Sequence, residues 1–292
     1  MRLKGGLGNQ LFGAYAALWI KRKTDIAFVL QLDGIDRSHA GPKYDIRSCL
    51  FGEMIEYRSH KSIRSKILEK FLIEDRALLK KQVEKLLIYK QIRSDGMSPD
   101  ELLVLLLRHF ESKSQIEIEG FFQDFFFFDE CTREIPIFKP RNLSEKFSKH
   151  LDLARYIRPI MIHIRLGDYT QNNIGILSNQ YFIDSLEILS EKVKTREVWI
   201  FSDTPEEASK YLSGVRGYRY RIFPPEGDPA DTLFLMAENN GLICSNSTFS
   251  FWAAKISNKD HIVAPRNLSI DGSLIIKNTP SNWIYLDNSW RP

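Results

Sequence analysis

Residues 161–169 read MIHIRLGDY. An apolar run, Pro159-Ile160-Met161-Ile162, passes into the alternation His163-Ile164-Arg165 and breaks at Gly167-Asp168. That pattern is a buried strand that carries a histidine and an arginine to its carboxyl end, followed by a tight turn. Ligands of open α/β sheets bind outside the carboxyl ends of the strands. An arginine there suits a phosphate, because its planar fork donates paired, charged hydrogen bonds. A plainer account fits this stretch equally well: the arginine pairs with a nearby carboxylate and the histidine is a satisfied, half-buried side chain.

Downstream, helical and strand patterns alternate. A polar loop over 170–179 precedes a helix over 180–193. Val198-Trp199-Ile200-Phe201 is a strand ending in Ser202-Asp203, and Thr204-Pro205-Glu206-Glu207 is a capped helix start. Strands follow over 218–223, 241–244 and 261–264, with helices over 231–239 and 249–256, the latter opened by Ser245-Asn246-Ser247-Thr248. Alternation of this kind predicts a parallel sheet. Such a sheet gathers His163 and Arg165, Asp203, and Ser247 and Thr248 onto one edge. Arg165 with the hydroxyl and N–H groups at 247–249 would cradle phosphates. Asp203 would accept from the adjacent N–H and NH₂ of guanine. No Asp-x-Asp occurs in the chain, so the metal–diphosphate clamp of one large class of sugar transferases is missing.

Upstream, residues 1–4 read as a short strand, followed by Gly5-Gly6-Leu7-Gly8-Asn9-Gln10 and a helix over 11–20. Strand, glycine loop and helix can present backbone N–H groups to an anion, or can simply be a tight turn. The loop is neither a Walker loop nor the dinucleotide fingerprint. Asn9 and Gln10 stand at its mouth. A second strand is predicted over 26–30. Residues 57–93 show helical spacing, and 61–93 carry ten Lys/Arg against four Asp/Glu, a net +6. A basic amphipathic helix of this kind either lies on an anionic bilayer or is a solvated face. Ser98-Pro99-Asp100-Glu101 is a capping box opening a helix through Phe110. A strand over 115–119 ends in Gly120-Phe121-Phe122-Gln123, the aromatic run 125–128 begins a core helix, 135–140 is a connection, and 143–156 is a helix. The domain boundary is placed near 155, giving domains 1–155 and 156–292.

The composition is that of an ordinary globular protein: 292 residues, 43% hydrophobic, 27% charged, net charge +4. The charge is too mild to demand nucleic acid, and the basic stretch lacks the interleaved aromatics and motifs of a nucleic-acid binder. Cys49, Cys131 and Cys244 are odd in number and widely spaced, which points to a reducing compartment and to no zinc spacing. No stretch approaches a membrane span, and MRLKGGLGNQ lacks the apolar core of a signal peptide. The expected location is the cytoplasm, peripheral at the inner face of the membrane if residues 61–93 dock there.

Five stretches together resemble one family. GGLGNQLF at 5–12, GFFQ at 120–123, HIRLGDY at 163–169, FSD at 201–203 and SNSTFSFWAA at 245–254 are similar, in content and order, to the bacterial α-1,2-fucosyltransferases of glycosyltransferase family 11. The resemblance implies two Rossmann-like α/β domains facing across a cleft, the GT-B type, with GDP-β-L-fucose bound mainly by the C-terminal half. It implies inverting transfer of L-fucose, without a metal or other cofactor, to the 2-hydroxyl of a galactose-terminated, lipid-linked oligosaccharide of the O-antigen kind. By motif, Arg165 holds the β-phosphate, His163 lies against the nucleotide, Asp203 reads guanine, and Ser247 and Thr248 contact phosphate. Asn9 faces the reacting centre from a loop that includes Gly8 and Gln10, and Asp168 fixes the turn after Arg165. The chain departs from the family where Leu166 replaces a frequent second arginine and where LFGAYAAL replaces LFQYA. Two other readings stay open: a different GDP-linked hexose as donor, and a non-catalytic component of a polysaccharide assembly complex. The general base is open between a carboxylate near the Gly-Phe-Phe-Gln stretch, Glu119 or Asp124, and the departing phosphate itself.

Overall fold

The computed structural model describes residues 1–3, 5–24, 29–31, 46, 56–58, 89–93, 97–110, 115–132, 144–167, 169, 174–225 and 227–291. They fall into two compact units, Met1–Asp36 with Gly52–Ile135, and Arg37–Phe51 with Pro136–Pro292.

The first unit contains α1 (Leu7–Thr24), β1 (Val29–Gln31), β2 (Glu56–Arg58), β3 (Tyr89–Arg93), α2 (Pro99–Phe110), β4 (Gln115–Glu119) and α3 (Phe126–Thr132). Strands β1 and β2 pair in parallel, as do β3 and β4. The first residues join the two pairs: Arg2 N–H donates to Ile118 O at 2.9 Å, and the Met1 amino group to Val29 O at 2.6 Å. The strand expected at 1–4 is thus a single parallel bridge, Arg2 to Glu119, with Lys4 outside the described residues. Helix α1 begins at Leu7 rather than at 11, and from there to Ile20 it is buried almost all round, as a helix apolar on every face must be. Its aromatics meet the run at 125–128: the Phe12 and Phe125 ring centroids are 5.0 Å apart, as are those of Tyr15 and Phe128, and Trp19 lies edge-on to Phe126 and Phe127. That run is core, as its sequence predicts. A side chain at Gly13 would start 2.6 Å from Leu3 Cδ2, so the helix rides close on the first residues.

The capping box forms as read: Ser98 Oγ accepts from Glu101 N–H, and Glu101 Oε2 from Ser98 N–H. Residues 56–58 and 89–93 are strands, which corrects the ends of the helix expected over 57–93. The basic stretch between them, 59–88, lies outside the described residues, as does the connection over 135–140.

The second unit contains α4 (Glu145–Ile157), β5 (Ile160–Ile164), α5 (Asn179–Val193), β6 (Glu197–Ser202), α6 (Pro205–Tyr211), β7 (Arg219–Phe223), α7 (Pro229–Ala237), β8 (Gly241–Ile243), α8 (Thr248–Ser257), β9 (Ile262–Pro265) and β10 (Ile284–Leu286). Helix α4, which lies mostly before residue 155, belongs to this unit and packs on α7. All six strands are parallel, in the order β10-β9-β8-β5-β6-β7. Counted from β5 this is 3-2-1-4-5-6, the doubly wound order, and it reverses between β5 and β8. Right-handed crossovers then put the helices of the two halves on opposite faces. Strand β10 was not legible from the sequence: its three residues, Ile284, Tyr285 and Leu286, are too few to show an alternation. Ser144, Ser178, Asp228 and Ser247 cap α4, α5, α7 and α8 with side-chain oxygens. Thr204 does not cap α6 as expected; its hydroxyl is buried with no partner among the described residues, while its N–H is taken by Ser202 Oγ. Cys131 and Cys244 are buried free thiols. Among the described residues no helix is long and apolar enough to cross a membrane.

All five residues of β5 are buried, because strands and helices cover it on every side. Ile162 is at 0% exposure in the centre of the sheet. Ile162→Ala is expected to cost about 2–5 kcal/mol from lost transfer energy and an unfilled cavity, measured as a lower urea midpoint at unchanged slope. His163 shares that burial, which with the nearby Arg165 charge drives its pKa down from 6.5 to about 3. Below pH 6.5 the unfolded chain therefore binds a proton that the folded chain refuses. Stability at and above neutrality is untouched, and as pH falls this one group removes up to about 1.4 kcal/mol per pH unit. Urea midpoints taken from pH 7 to 4.5 should fall more steeply for the wild type than for His163→Gln; parallel curves would refute the burial of a neutral ring.

Candidate functional site

Strands β5 and β8 are neighbours whose chains continue in opposite directions across the sheet, and the crevice beyond their carboxyl ends is where such folds bind ligands. Strand β5 brings His163 to this point and runs on to Arg165. Strand β8 runs on into Cys244, Ser245, Asn246 and Ser247, and so into the N-terminus of α8. Strand β6 adds Asp203 from the other side of β5. The structure thus brings His163, Arg165, Asp203, Ser247 and Thr248 to one edge of one sheet.

The two strand ends are tied together. His163 Nδ1 and Ser245 Oγ lie 2.7 Å apart, and Ser250 Oγ lies 3.5 Å from Ser245 Oγ. Ser250 Oγ donates into the carbonyls of Ser245 and Ser247, at 3.2 and 3.0 Å. The Phe249 ring stands 5.5 Å from the imidazole. Because His163 stays neutral at working pH, it can serve this edge as a hydrogen-bonding and packing group but not as a cation.

Arg165 carries the positive charge. Its Nη1 is 3.2 Å from Asp203 Oδ2, with both side chains about one-fifth exposed, and its guanidinium lies 5.6 Å from the Tyr169 ring centre. Asp203 Oδ1 accepts the Leu166 N–H at 3.1 Å. One carboxylate therefore holds both the guanidinium and the backbone of the turn that carries it. Gly167 is required by this arrangement, since a Cβ there would collide with Asp203 Oδ2. Asp168 lies outside the described residues.

Ser247 is the N-cap of α8: its Oγ accepts Phe249 N–H at 3.3 Å, which leaves its own proton to donate outward. Thr248 follows at the first helical position. Asn246, not singled out in the sequence, is the residue that shapes this corner. Its Nδ2 donates to the carbonyls of Gly175 and Leu268, and its own carbonyl takes the Tyr169 hydroxyl at 3.3 Å. Asp231 was also missed. Helices of βαβ units run back against their strands, so the first turn of α7 lies at the same carboxyl edge. Asp231 is half-buried there, its carboxylate has no hydrogen-bond partner among the described residues, and burial, with Asp228 nearby, raises its pKa to about 6. The Asp228-x-x-Asp231 spacing at a helix start reads first as capping, which hid it.

In the first unit the glycine stretch is largely helical. Gly8, Asn9 and Gln10 form the first turn of α1 and are not a loop, because the helix begins at Leu7. Gln10 is wholly buried, with its Nε2 on the Gly5 carbonyl at 3.0 Å; it closes the turn and is not offered to a ligand. Gly5 has φ +68°, and a Cβ on it would crowd the Asn9 amide. Asn9 Oδ1 accepts from Gln123 Nε2 at 2.9 Å, which joins two of the stretches that carry the resemblance. Asp124 is spent on the Phe126 N–H at 2.8 Å, and Glu119 is buried at the end of β4.

Known proteins match this chain over both units. It is 27% identical to an alpha-1,2-colitosyltransferase of Escherichia coli over 277 residues, 89% of this chain and 87% of that one. It is 28% identical over 132 residues, 43% of each chain, to the O-antigen biosynthesis glycosyltransferase WbnK of Escherichia coli. Among solved structures, a glycosyl transferase of family 9 from Veillonella parvula superposes with a TM-score of 0.51 at 10% identity, covering 98% of this chain and 86% of that one, which is a likeness of fold alone. The profile described as Glycosyl transferase family 11 matches residues 122–287, which include the Arg165–Asp203 pair and the Ser245–Ser250 corner. The chain belongs to glycosyltransferase family 11.

Proposed function

We propose that this protein is a GT-B-type transferase that moves L-fucose from GDP-β-L-fucose to the 2-hydroxyl of a galactoside in an O-antigen-like glycan, with inversion and without a metal. The observation that carries the reading is Arg165, held by Asp203 at the strand-order reversal, beside the donor groups of Ser247 and the α8 N-terminus. As the acceptor hydroxyl attacks C1, the C1–O bond to the β-phosphate breaks, negative charge collects on the leaving diphosphate, and that phosphate takes the hydroxyl proton. A preorganised guanidinium and helix N-terminus meet that charge without reorganisation. Asp203, with both oxygens engaged, positions Arg165. Asp231 is the carboxylate left to accept the paired donors of guanine, and His163 packs against the nucleotide. The first unit serves the acceptor, with Asn9 at its site, and an acceptor on a lipid carrier would bring the enzyme to the inner face of the membrane.

A second donor is favoured by one finding, the relative named a colitosyltransferase. Colitose is L-fucose without its 3-hydroxyl. A site that hydrogen-bonds that hydroxyl rejects the sugar lacking it by roughly 10⁴-fold, whereas an apolar pocket discriminates far less. Titration calorimetry in EDTA with GDP-fucose, GDP-colitose, GDP-mannose and UDP-galactose separates these readings. Binding of GDP compounds alone, strongest for GDP-fucose, is expected; binding of none would overturn the donor assignment.

Arg165→Ala should lower transfer by roughly 10²-fold or more, the usual loss on removing one preorganised charge donor. Near-normal turnover would sink its assignment. Asp231→Asn should erase the preference for GDP over ADP, since an amide cannot accept from both guanine donors. In the wild type, GDP affinity should fall as pH drops through about 6, where the carboxylate takes a proton. A flat profile between pH 7 and 5 would remove Asp231 from the site.

A further inference from the structure

The second unit carries a hollow of about 370 Å³ at the amino-terminal edge of its sheet. Arg158 comes to it from the end of α4, Lys192, Lys194 and Thr195 from the end of α5, Asn240 from just before β8, and His261 from just before β9. Strand β5 spans five residues, roughly 16 Å, so this edge lies well away from Arg165 at the other end of the same strand.

The hollow is built rather than incidental. Arg158 Nη2 donates to Asn240 Oδ1 at 3.0 Å, and Asn240 Nδ2 donates to the Val193 carbonyl at 3.4 Å. One amide thus ties the guanidinium to the end of α5. Arg158 and Lys194 occupy the left-handed cap positions of α4 and α5, at φ +54° and +51°, where glycine or asparagine is usual. Thr195 Oγ1 accepts the Glu197 N–H at 3.3 Å and keeps its proton to donate. Lys192 and Lys194 have no ion pair or side-chain hydrogen bond among the described residues, and no carboxylate among them lines the hollow.

Helix C-termini attract cations, which is the plain reason for a basic residue here. The magnitudes do not balance. Each C-terminus carries about half a negative charge, so two make roughly one. Against it stand three permanent cations, Arg158, Lys192 and Lys194. The end carbonyls are also already served: Ala154 O takes the Arg158 N–H, Ser190 O the Lys194 N–H, and Val193 O the Asn240 amide. Uncompensated positive charge is left on one concave surface. A small anion of multiple charge fits it, since a phosphate or diphosphate presents several acceptor oxygens to the guanidinium, both ammonium groups and the Thr195 hydroxyl. A carboxylate brings a single charge. No phenylalanine, tyrosine or tryptophan among the described residues lines the hollow to hold a base or a sugar face.

We propose that this hollow is an anion site separate from the Arg165 edge, that it binds a phosphate or diphosphate group, and that Arg158, Lys192 and Lys194 are its cations. It does not depend on the donor or the acceptor assigned above.

The test is proton NMR of the His261 imidazole in the full chain, assigned by the loss of its signal in His261→Gln. Inorganic pyrophosphate is titrated at low ionic strength, with sodium chloride of matched ionic strength as the blank. The wild-type signal should move saturably. Lys192→Gln combined with Lys194→Gln should raise the dissociation constant at least about tenfold, the scale of one lost charge-assisted hydrogen bond. If the lysines serve only the helix ends, the double variant loses stability in urea and the His261 signal moves in neither protein. A wild-type signal that stays put, or one that moves equally in the double variant, would overturn the site. Sedimentation with phosphatidylcholine vesicles containing phosphatidylglycerol identifies the source of the phosphate, and either result upholds the site. Vesicle binding that is lost in the double variant means a lipid headgroup; vesicle binding that is absent or unchanged means a soluble phosphate compound.

Discussion

A strand buried on both faces has to end in two polar side chains, and the second unit is arranged around that conflict. Strand β5 is apolar through Ile160, Met161 and Ile162 and then carries His163 inside the protein. A buried imidazole without a partner would cost a few kcal/mol. The reversal of strand order supplies one, because it makes β8 the neighbour of β5 and brings Ser245 to 2.7 Å. Two residues further on, Arg165 emerges far enough to keep its charge, and Asp203 of the next strand holds it. Burial sets the histidine neutral and partial exposure leaves the arginine charged, so neighbouring groups on one strand take different tasks.

The ion pair at Arg165 is only partly exposed, and pairs of this kind contribute little net stability, because desolvation offsets attraction. Its worth lies in geometry. Asp203 binds the guanidinium and the Leu166 N–H together, and Gly167 leaves the room for it. A cation held in this way is ready for charge that develops at the leaving group, which is where electrostatic catalysis gains most. The plainer account of the MIHIRLGDY stretch, a satisfied histidine and a paired arginine, is what the fold shows. On the proposed function it is also the preorganised form of a phosphate site.

The first unit solves a different problem. Helix α1 is so apolar that it must be enclosed, and the aromatic run at 125–128 encloses it. That contact draws the chain before α3 against the first turn of α1. Asn9 and Gln123, 114 residues apart, meet as a consequence. The strained conformation at Phe122 lets one phenylalanine enter the core while its neighbour, Phe121, faces out.

Local chemistry determined a good deal from the sequence alone. The capping box at Ser98, the helix start at Ser247, the apolar run of β5 and the alternation of strands and helices each depend on residues close together in the chain, and they were legible there, whereas the cap at Ser144 was not. Arg165, Asp203 and Ser247 were legible too, as groups at strand or helix ends. Only the tertiary structure decided what depends on distant partners. Helix α1 reached back to Leu7 because burial outweighed the cost of its glycines, which turned Gln10 inward. Thr204 does not cap with its side chain because the Glu207 and Ala208 N–H groups go to its backbone carbonyl instead. Asp203 was spent on Arg165, and Asp231 was left at the same edge without a hydrogen-bond partner among the described residues, because strand order and helix direction place side chains that no spacing in the sequence relates. Propensity and capping act over one turn of chain; a site is assembled by which strand ends become neighbours.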